Sequence, residues 1–316
     1  MKVPQITEKI LRPAGLTHTL SACAPQTPKK TDYRVLIASD LHYTTVVAKP
    51  YYGIPPEKRL QAFVDAVLEE HTKQPFDLII IAGDVSLDYW GWNGGGSYQR
   101  DPSVSETQIF MDNYASQMPT GVPCIVLPGN HELYANKKWQ ELTGNGRNAS
   151  FALGKHLFLM PDAYSGAVNP TYEGGGKNDS PYAPVDMTFI QSEVEKHPEC
   201  ERIYLISHHF DLQKESEEFR QLLMKERRIV GLFSGHTHKS SVIALDPEFY
   251  YPLKLAQTGS LAEMGAQTVE NFNWGFRDLV ITADGATSRY ISPSFSYIVD
   301  GERHTSTYRI KDTVDY

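Results

Sequence analysis

Five short apolar runs, "RVLIAS", "DLIIIAG", "PCIVLPG", "RIYLIS" and "RIVGLFSG", recur along the chain with helix-like stretches among them. That alternation constrains the fold more than any other feature. A short run of aliphatic and β-branched residues bounded by polar turns reads as a strand buried on both faces. Within "PPEKRLQAFVDAVLEEH", Leu60, Phe63, Val64, Val67 and Leu68 are spaced 3, 1, 3, 1, which predicts one helical face. "SETQIFMDNYASQM" reads as a helix opened by a capping box from Ser105 to Gln108. "DMTFIQSEVEKH" and "ESEEFRQLLMKERR" read as helices ahead of the last two runs. Strands alternating with helices predict a layered α/β domain.

Both ends of the chain depart from this pattern. Residues 1–32 are polar, bear prolines and keep no sustained period, so they read as a flexible N-terminal extension. The domain is expected over 33–316. From about residue 240 the helical period disappears, and "SVIAL", "LKLAQTG", "RDLVITADGATSRYI" and "SYIVDGERHTSTYRI" read as strands, with hairpin signals at Asp284-Gly285 and Asp300-Gly301. "WGWNGGGSYQRD" and "YEGGGKNDSPY" read as long glycine-rich loops. No internal repeat is found.

Composition narrows the function classes. A chain of 316 residues, 41% hydrophobic and 22% charged, can bury a core without cross-links. It has no apolar run near the ~20 residues a membrane span needs. The net charge of -8 repels polyanions, so extended nucleic acid is excluded as the default partner. Cys23, Cys124 and Cys200 are odd in number and lack CxxC spacing, which argues against a disulfide framework and for a reducing, cytoplasmic setting. "LSAC" at 20–23 looks like a lipoprotein cleavage box. The preceding "ILRPAGLTHT" carries Arg12, Pro13 and His18, however, and lacks the apolar region that such a signal requires.

The chemistry-bearing residues lie in the turns after the five runs. They are Asp40 and His42 in "SDLH", Asp84 in "AGDVS", Asn130 and His131 in "PGNHE", His208 and His209 in "SHHF", and His236 and His238 in "GHTH". Six of the eleven histidines fall here. In layered α/β domains ligands gather outside the carboxyl ends of strands, so residues far apart in sequence can converge there. A lone HxH is weak evidence of a metal. Oxygen and imidazole donors without sulfur suit Mn, Fe or Zn, and here they outnumber the four ligands of one closed zinc site. Two metal ions are the inference.

The ordered set DxH, GD, GNHE, H, GHxH resembles the calcineurin-like metallophosphoesterase family over roughly residues 33–260. The resemblance implies an α/β/β/α sandwich of two mixed sheets, with the metal site at the carboxyl ends of the strands. It implies that Asp40, His42 and His238 hold one metal, that Asp84 bridges, and that Asn130, His208 and His236 hold the second. His131 would be the catalytic histidine near the leaving group. It also implies hydrolysis of a phosphoester by a metal-activated hydroxide. Two cations offset the negative oxygens that protect a phosphoester and lower the pKa of a shared water. Glycines 83, 129 and 235 would let the backbone turn where a Cβ could clash.

Departures from the family pattern matter too. "SHHF" has Phe210 where a proline is common, which leaves His208 or His209 as the ligand. "GDVSLDY" lacks the arginine of serine/threonine phosphatases and has Leu87 where purple acid phosphatases carry a tyrosine. A metallo-β-lactamase reading fails because HxHxDH is absent.

Other residues carry plainer readings. Cys124 and Cys200 read as inert core thiols, and Glu132 as a structural group that orients ligands. Asp88 and Glu173 are candidates by loop position alone. Tyr89, Trp90, Trp92, Tyr98 and Arg100 form either a substrate wall or a loop packed by its own aromatics. A small phosphodiester, such as a cyclic nucleotide, is the expected substrate. The alternatives are a phosphomonoester of a small metabolite, or a catalytically silent metal-binding scaffold.

Overall fold

The computed structural model of the chain describes residues 30–45, 54–88, 105–164, 180–246, 250, 252–262, 273–299 and 301–316. All but the last three residues of the expected N-terminal extension, all of 89–100, and Glu173 lie outside the described residues. The elements in chain order begin with β1 (Tyr33–Ala38), α1 (Pro56–Lys73), β2 (Leu78–Ala82), α2 (Glu106–Asn113), β3 (Cys124–Leu127) and α3 (Asn136–Thr143). There follow β4 (Ala149–Leu153), β5 (His156–Met160), α4 (Met187–Lys196), β6 (Arg202–Ser207), α5 (Glu217–Lys225) and β7 (Ile229–Ser234). The remainder is β8 (Val242–Ala244), β9 (Lys254–Gln257), β10 (Phe276–Ile281), β11 (Ala286–Ser292), β12 (Phe295–Val299), β13 (Glu302–Ser306) and β14 (Arg309–Asp315).

Two mixed six-stranded sheets form, in the orders β14-β11-β10-β1-β2-β3 and β4-β5-β6-β7-β9-β8, with β12 and β13 as a separate hairpin. In the first sheet β1, β2 and β3 run parallel. In the second, β5, β6, β7 and β9 do. The β-rich C-terminal part forms no layer of its own. Strands β10, β11 and β14 extend the first sheet, and β8 and β9 close the second.

Strand parity explains the layering, because successive side chains take opposite faces. Leu36, Ala38, Ile79 and Ile81 pack with Phe63 of α1, Phe110 of α2 and Trp139 of α3. Their neighbours Val35, Ile37, Leu78 and Ile80 meet Phe158, Tyr204, Ile206 and Phe233 of the second sheet. Beyond that sheet, Leu159, Ile203 and Leu205 pack with Ile190 of α4 and with Phe219 and Leu223 of α5. The order is helices, sheet, sheet, helices, as expected. Each fully buried aliphatic or aromatic side chain contributes about 1.5–3 kcal/mol.

Local readings hold with instructive exceptions. Leu60, Phe63, Val64 and Val67 are buried on α1, but Leu68 is 37% exposed. At about 100° per residue it falls about 80° round from Leu60, at the margin of the stripe. Ser105 caps α2 by accepting the Gln108 amide at 3.2 Å. The capping box is only half made, since the Gln108 side chain reaches forward to Asp112 (2.9 Å). After Asn113 the expected helix continues only as a 3-10 turn, Ala115–Gln117. Asp186 and Ser216 cap α4 and α5 through the amides of Phe189 and Phe219, so α5 starts later than its acidic lead-in suggests.

Candidate metal centre

Each of the five turns leaves the carboxyl end of a strand: Asp40 and His42 after β1, Asp84 after β2, Asn130 and His131 after β3, His208 after β6, and His236 and His238 after β7. Backbone hydrogen bonds bolt the turns together, with the Asp40 amide on the Gly83 carbonyl (3.0 Å) and the His42 amide on the Asp84 carbonyl (3.0 Å). Among the described residues, five non-glycine residues have positive φ, and they are Asp40, His42, Asp84, His236 and His238. Such conformations cost of order 1–3 kcal/mol each and gather at functional sites. Gly83 and Gly129 make room for the cluster. A Cβ on Gly83, which has φ +90°, would sit 2.6 Å from His208 Nδ1, and one on Gly129 would overlap Asp84 Oδ1.

Asp84 is the hub. Its Oδ2 lies 3.3 Å from His42 Nε2, 3.1 Å from His208 Nε2 and 3.6 Å from His131 Nε2. On one side, Asp40 Oδ1 stands 3.4 Å from His238 Nε2 and 3.8 Å from His42 Nε2. On the other, Asn130 Oδ1 stands 3.1 Å from His208 Nε2 and 2.9 Å from His236 Nδ1. The structure therefore brings together eight of the nine residues singled out in the turns. His209 is not among them. Its ring lies tilted against that of His236, with centroids 4.6 Å apart, and meets the Tyr182 ring edge-on.

Two carboxylates are buried among these imidazoles: Asp40 is wholly inaccessible and Asp84 is 2% exposed. Burial alone would raise Asp84, but the neighbouring His131 and His208 hold it well below the usual carboxylate range. Asp40 is lowered against the same burial by its hydrogen bond with His238. Burial pushes His42 down to about 4, with Asp84 pulling the other way. For His208 the balance reverses, since Asp84 outweighs burial and pushes it up to about 9. Two ionised carboxylates, an amide oxygen and several imidazoles are a donor set that fits divalent metal ions of the Mn, Fe and Zn kind.

Around the converging donors stands a shell of buried supporting residues. Glu132 is buried, and its carboxylate accepts the amides of Gly129 (2.6 Å), Asp84 (3.1 Å) and Ser86 (3.0 Å), which locks the second turn to the third. Burial and the nearby Asp84 push it up to about 7. Asp88 caps α2 by accepting the amides of Glu106 (2.7 Å) and Thr107 (3.2 Å), and it also takes the Tyr134 hydroxyl. Tyr164, 2% exposed, sets its ring 5.8 Å from that of His208 and 6.1 Å from that of His236. An aromatic beside the cluster has no linear signal, because it follows β5, which carries no motif residue.

Residues 33–240 match the family of calcineurin-like phosphoesterases. No curated protein sequence matches the chain. Among solved structures, a dimetal phosphatase from Danio rerio superposes over 89% of this chain and 100% of its own, with a TM-score of 0.56 at 11% identity. GAP50, the anchor in the inner membrane complex of Plasmodium, covers 90% of each chain at a TM-score of 0.46 and 14% identity. A 5'-nucleotidase from Candida albicans SC5314 covers 81% of this chain and 47% of its own, at a TM-score of 0.42 and 17% identity. The Danio rerio protein shares the fold.

Proposed function

The chain belongs to the calcineurin-like phosphoesterase family and is a metal-dependent phosphoester hydrolase, and from that premise we propose that it hydrolyses small phosphodiesters at a dinuclear centre built on Asp84. Asp40, His42 and His238 would hold one ion and Asn130, His208 and His236 the other, with the Asp84 carboxylate available to both. When bound, the two ions offset the charge of the phosphate oxygens and lower the pKa of a water molecule. The carrying observation is convergence: Asp84 Oδ2 lies within 3.6 Å of imidazoles from three different turns.

The chain's own groups divide the remaining work. The Glu132 carboxylate keeps the second and third turns in register by holding their amides. His131 is buried with its amide on Asp84 Oδ1 at 3.1 Å, so its ring has a fixed origin beside the cluster. It gives a proton to the departing ester oxygen, the task of a general acid.

A diester is favoured over a monoester on charge. Among the described residues, no lysine or arginine forms an ion pair with Asp40 or Asp84. A phosphodiester carries one negative charge, whereas an ionised monoester carries up to two and calls for more cationic grip. Arg100 and Lys177 lie outside the described residues, as does the aromatic stretch from Tyr89. No helix among the described residues is long and apolar enough to cross a membrane. The free thiols of Cys124 and Cys200 support a reducing, cytoplasmic setting.

The experiment is a panel of small mono- and diesters assayed with metal-reconstituted protein. Higher kcat/KM on diesters supports the reading, and preference for monoesters replaces it with the phosphomonoesterase. Absence of turnover on every ester, with metal bound, supports the silent scaffold.

A further inference from the structure

The loop that carries His131 is gripped from both sides. On one side stand the amides held by Glu132. On the other, Arg147 Nη1 donates to the carbonyls of Glu132 and Tyr134, each at 2.8 Å, straddling the backbone just beyond His131. Arg147 is 4% exposed and lies just before β4. Its Nε donates to Asp162 Oδ2 at 2.6 Å, and Asp162, 2% exposed, accepts the Tyr164 amide on Oδ1 at 2.8 Å. A single buried ion pair thus joins the His131 loop to Tyr164, whose ring borders His208 and His236.

Burying a guanidinium is costly unless it is paired and hydrogen-bonded. Nothing in the metal cluster requires this one, since neither Arg147 nor Asp162 stands among the converging donors. What Arg147 offers is a planar fork whose donors keep fixed directions, which a lysine lacks. We propose that the Arg147–Asp162 pair is a positioning device for His131, fixing its loop so that the ring meets the leaving oxygen. The backbone of His131 is held at its amide by Asp84 Oδ1, and just beyond it by the two Arg147 hydrogen bonds. A displacement of about 1 Å at a reacting group can cost about 10²-fold, so a loosened loop has a kinetic signature.

The inference rests on His131 acting at the leaving group. Arg147→Lys and Asp162→Asn are therefore measured beside His131→Ala on two diesters of the same body, one with an alkyl and one with a nitrophenyl leaving group. Nitrophenolate departs without a proton, so it does not need the acid. Circular dichroism with thermal melts reports folding, and elemental analysis reports metal content. Arg147→Lys and Asp162→Asn are expected to lose about 10- to 100-fold on the alkyl ester and under about threefold on the nitrophenyl ester, with metal content unchanged. If Arg147→Lys does not fold, Asp162→Asn, which keeps the side-chain shape, decides. Equal losses on both esters, loss of metal, or wild-type rates overturn the inference while leaving the acid role intact, provided that His131→Ala discriminates between the esters. Equal losses in His131→Ala remove the acid role, and the inference with it.

Discussion

His208 Nδ1 donates to the Ala82 carbonyl across 2.9 Å, tying the imidazole that follows β6 to the last residue of β2. A carbonyl can only accept, so Nδ1 carries the hydrogen and Nε2 is turned toward Asp84 and Asn130. Such a bond fixes both the tautomer and the ring plane of a ligand. His208→Ala should leave one metal ion per chain, and His209→Ala should leave two, as counted by elemental analysis. The reverse pattern would transfer the ligand role to His209.

Glu132 is expected to matter for metal without touching it. Glu132→Gln keeps the shape but turns an N–H donor toward amides that now find acceptors. Leaving such buried groups unsatisfied costs about 1–3 kcal/mol in the metal-free protein. Groups that hold ligands in place typically influence metal affinity by about 10- to 100-fold. Calorimetric titration with Mn or Zn should show a loss in that range. Unchanged affinity together with an unchanged melt would reduce Glu132 to a bystander.

Stability at the other end of the first sheet depends on a buried arginine. Arg34 of β1 pairs with Asp278 of β10 at 2.8 Å and with Glu70 of α1 at 2.9 Å, and all three are nearly inaccessible. Arg34→Ala takes the buried partner from two carboxylates and leaves Asp278 to Arg289 and Glu70 to Lys73, and breaking a buried pair from one side costs up to about 3–5 kcal/mol. Urea unfolding of the metal-free protein should register that loss, and a change under about 1 kcal/mol would contradict it.

The strand-end turns were legible because each proposed ligand follows an apolar run directly, and strand ends are where α/β layers expose side chains. The four-layer order came from family resemblance and is explained by the parity of residues such as Val35 and Leu36, which face different cores. Other features left no linear trace. Helix α3 and the β4–β5 hairpin were not anticipated, and "NKKWQELT" shows only Trp139 and Leu142 as an apolar pair. Arg147 and Asp162 belong to no motif, and their meeting depends on that hairpin folding back. Asp88 attracted attention by its place in a loop, but its hydrogen bonds make it a cap for α2. The choice between His208 and His209 required a ring direction, which sequence does not encode.

The cysteines should be quiet. Burial pushes the Cys124 thiol up to about 12 and raises Cys200, which is 1% exposed. The thiolate is the reacting form, and at pH 8 a thiol of pKa about 12 is ionised to only about 10⁻⁴. Alkylation of Cys124 in the folded protein should therefore rise with pH toward 12 rather than plateau near 9. Mass spectrometry of a Cys23→Ser variant treated with iodoacetamide at pH 8 should show no adduct until urea is added. Prompt labelling under native conditions would contradict the burial of Cys200 and the raised thiol of the half-buried Cys124.

The central claim is that Asp84 joins two metal ions into one hydrolytic centre, and the direct measurement is metal stoichiometry against turnover in wild type and Asp84→Ala. Wild type should hold two ions per chain at full activity, and Asp84→Ala should lose metal together with nearly all turnover on a small diester, while the fold survives by circular dichroism. Full activity with one ion per chain, or an Asp84→Ala protein that keeps both metal and rate, would contradict the account.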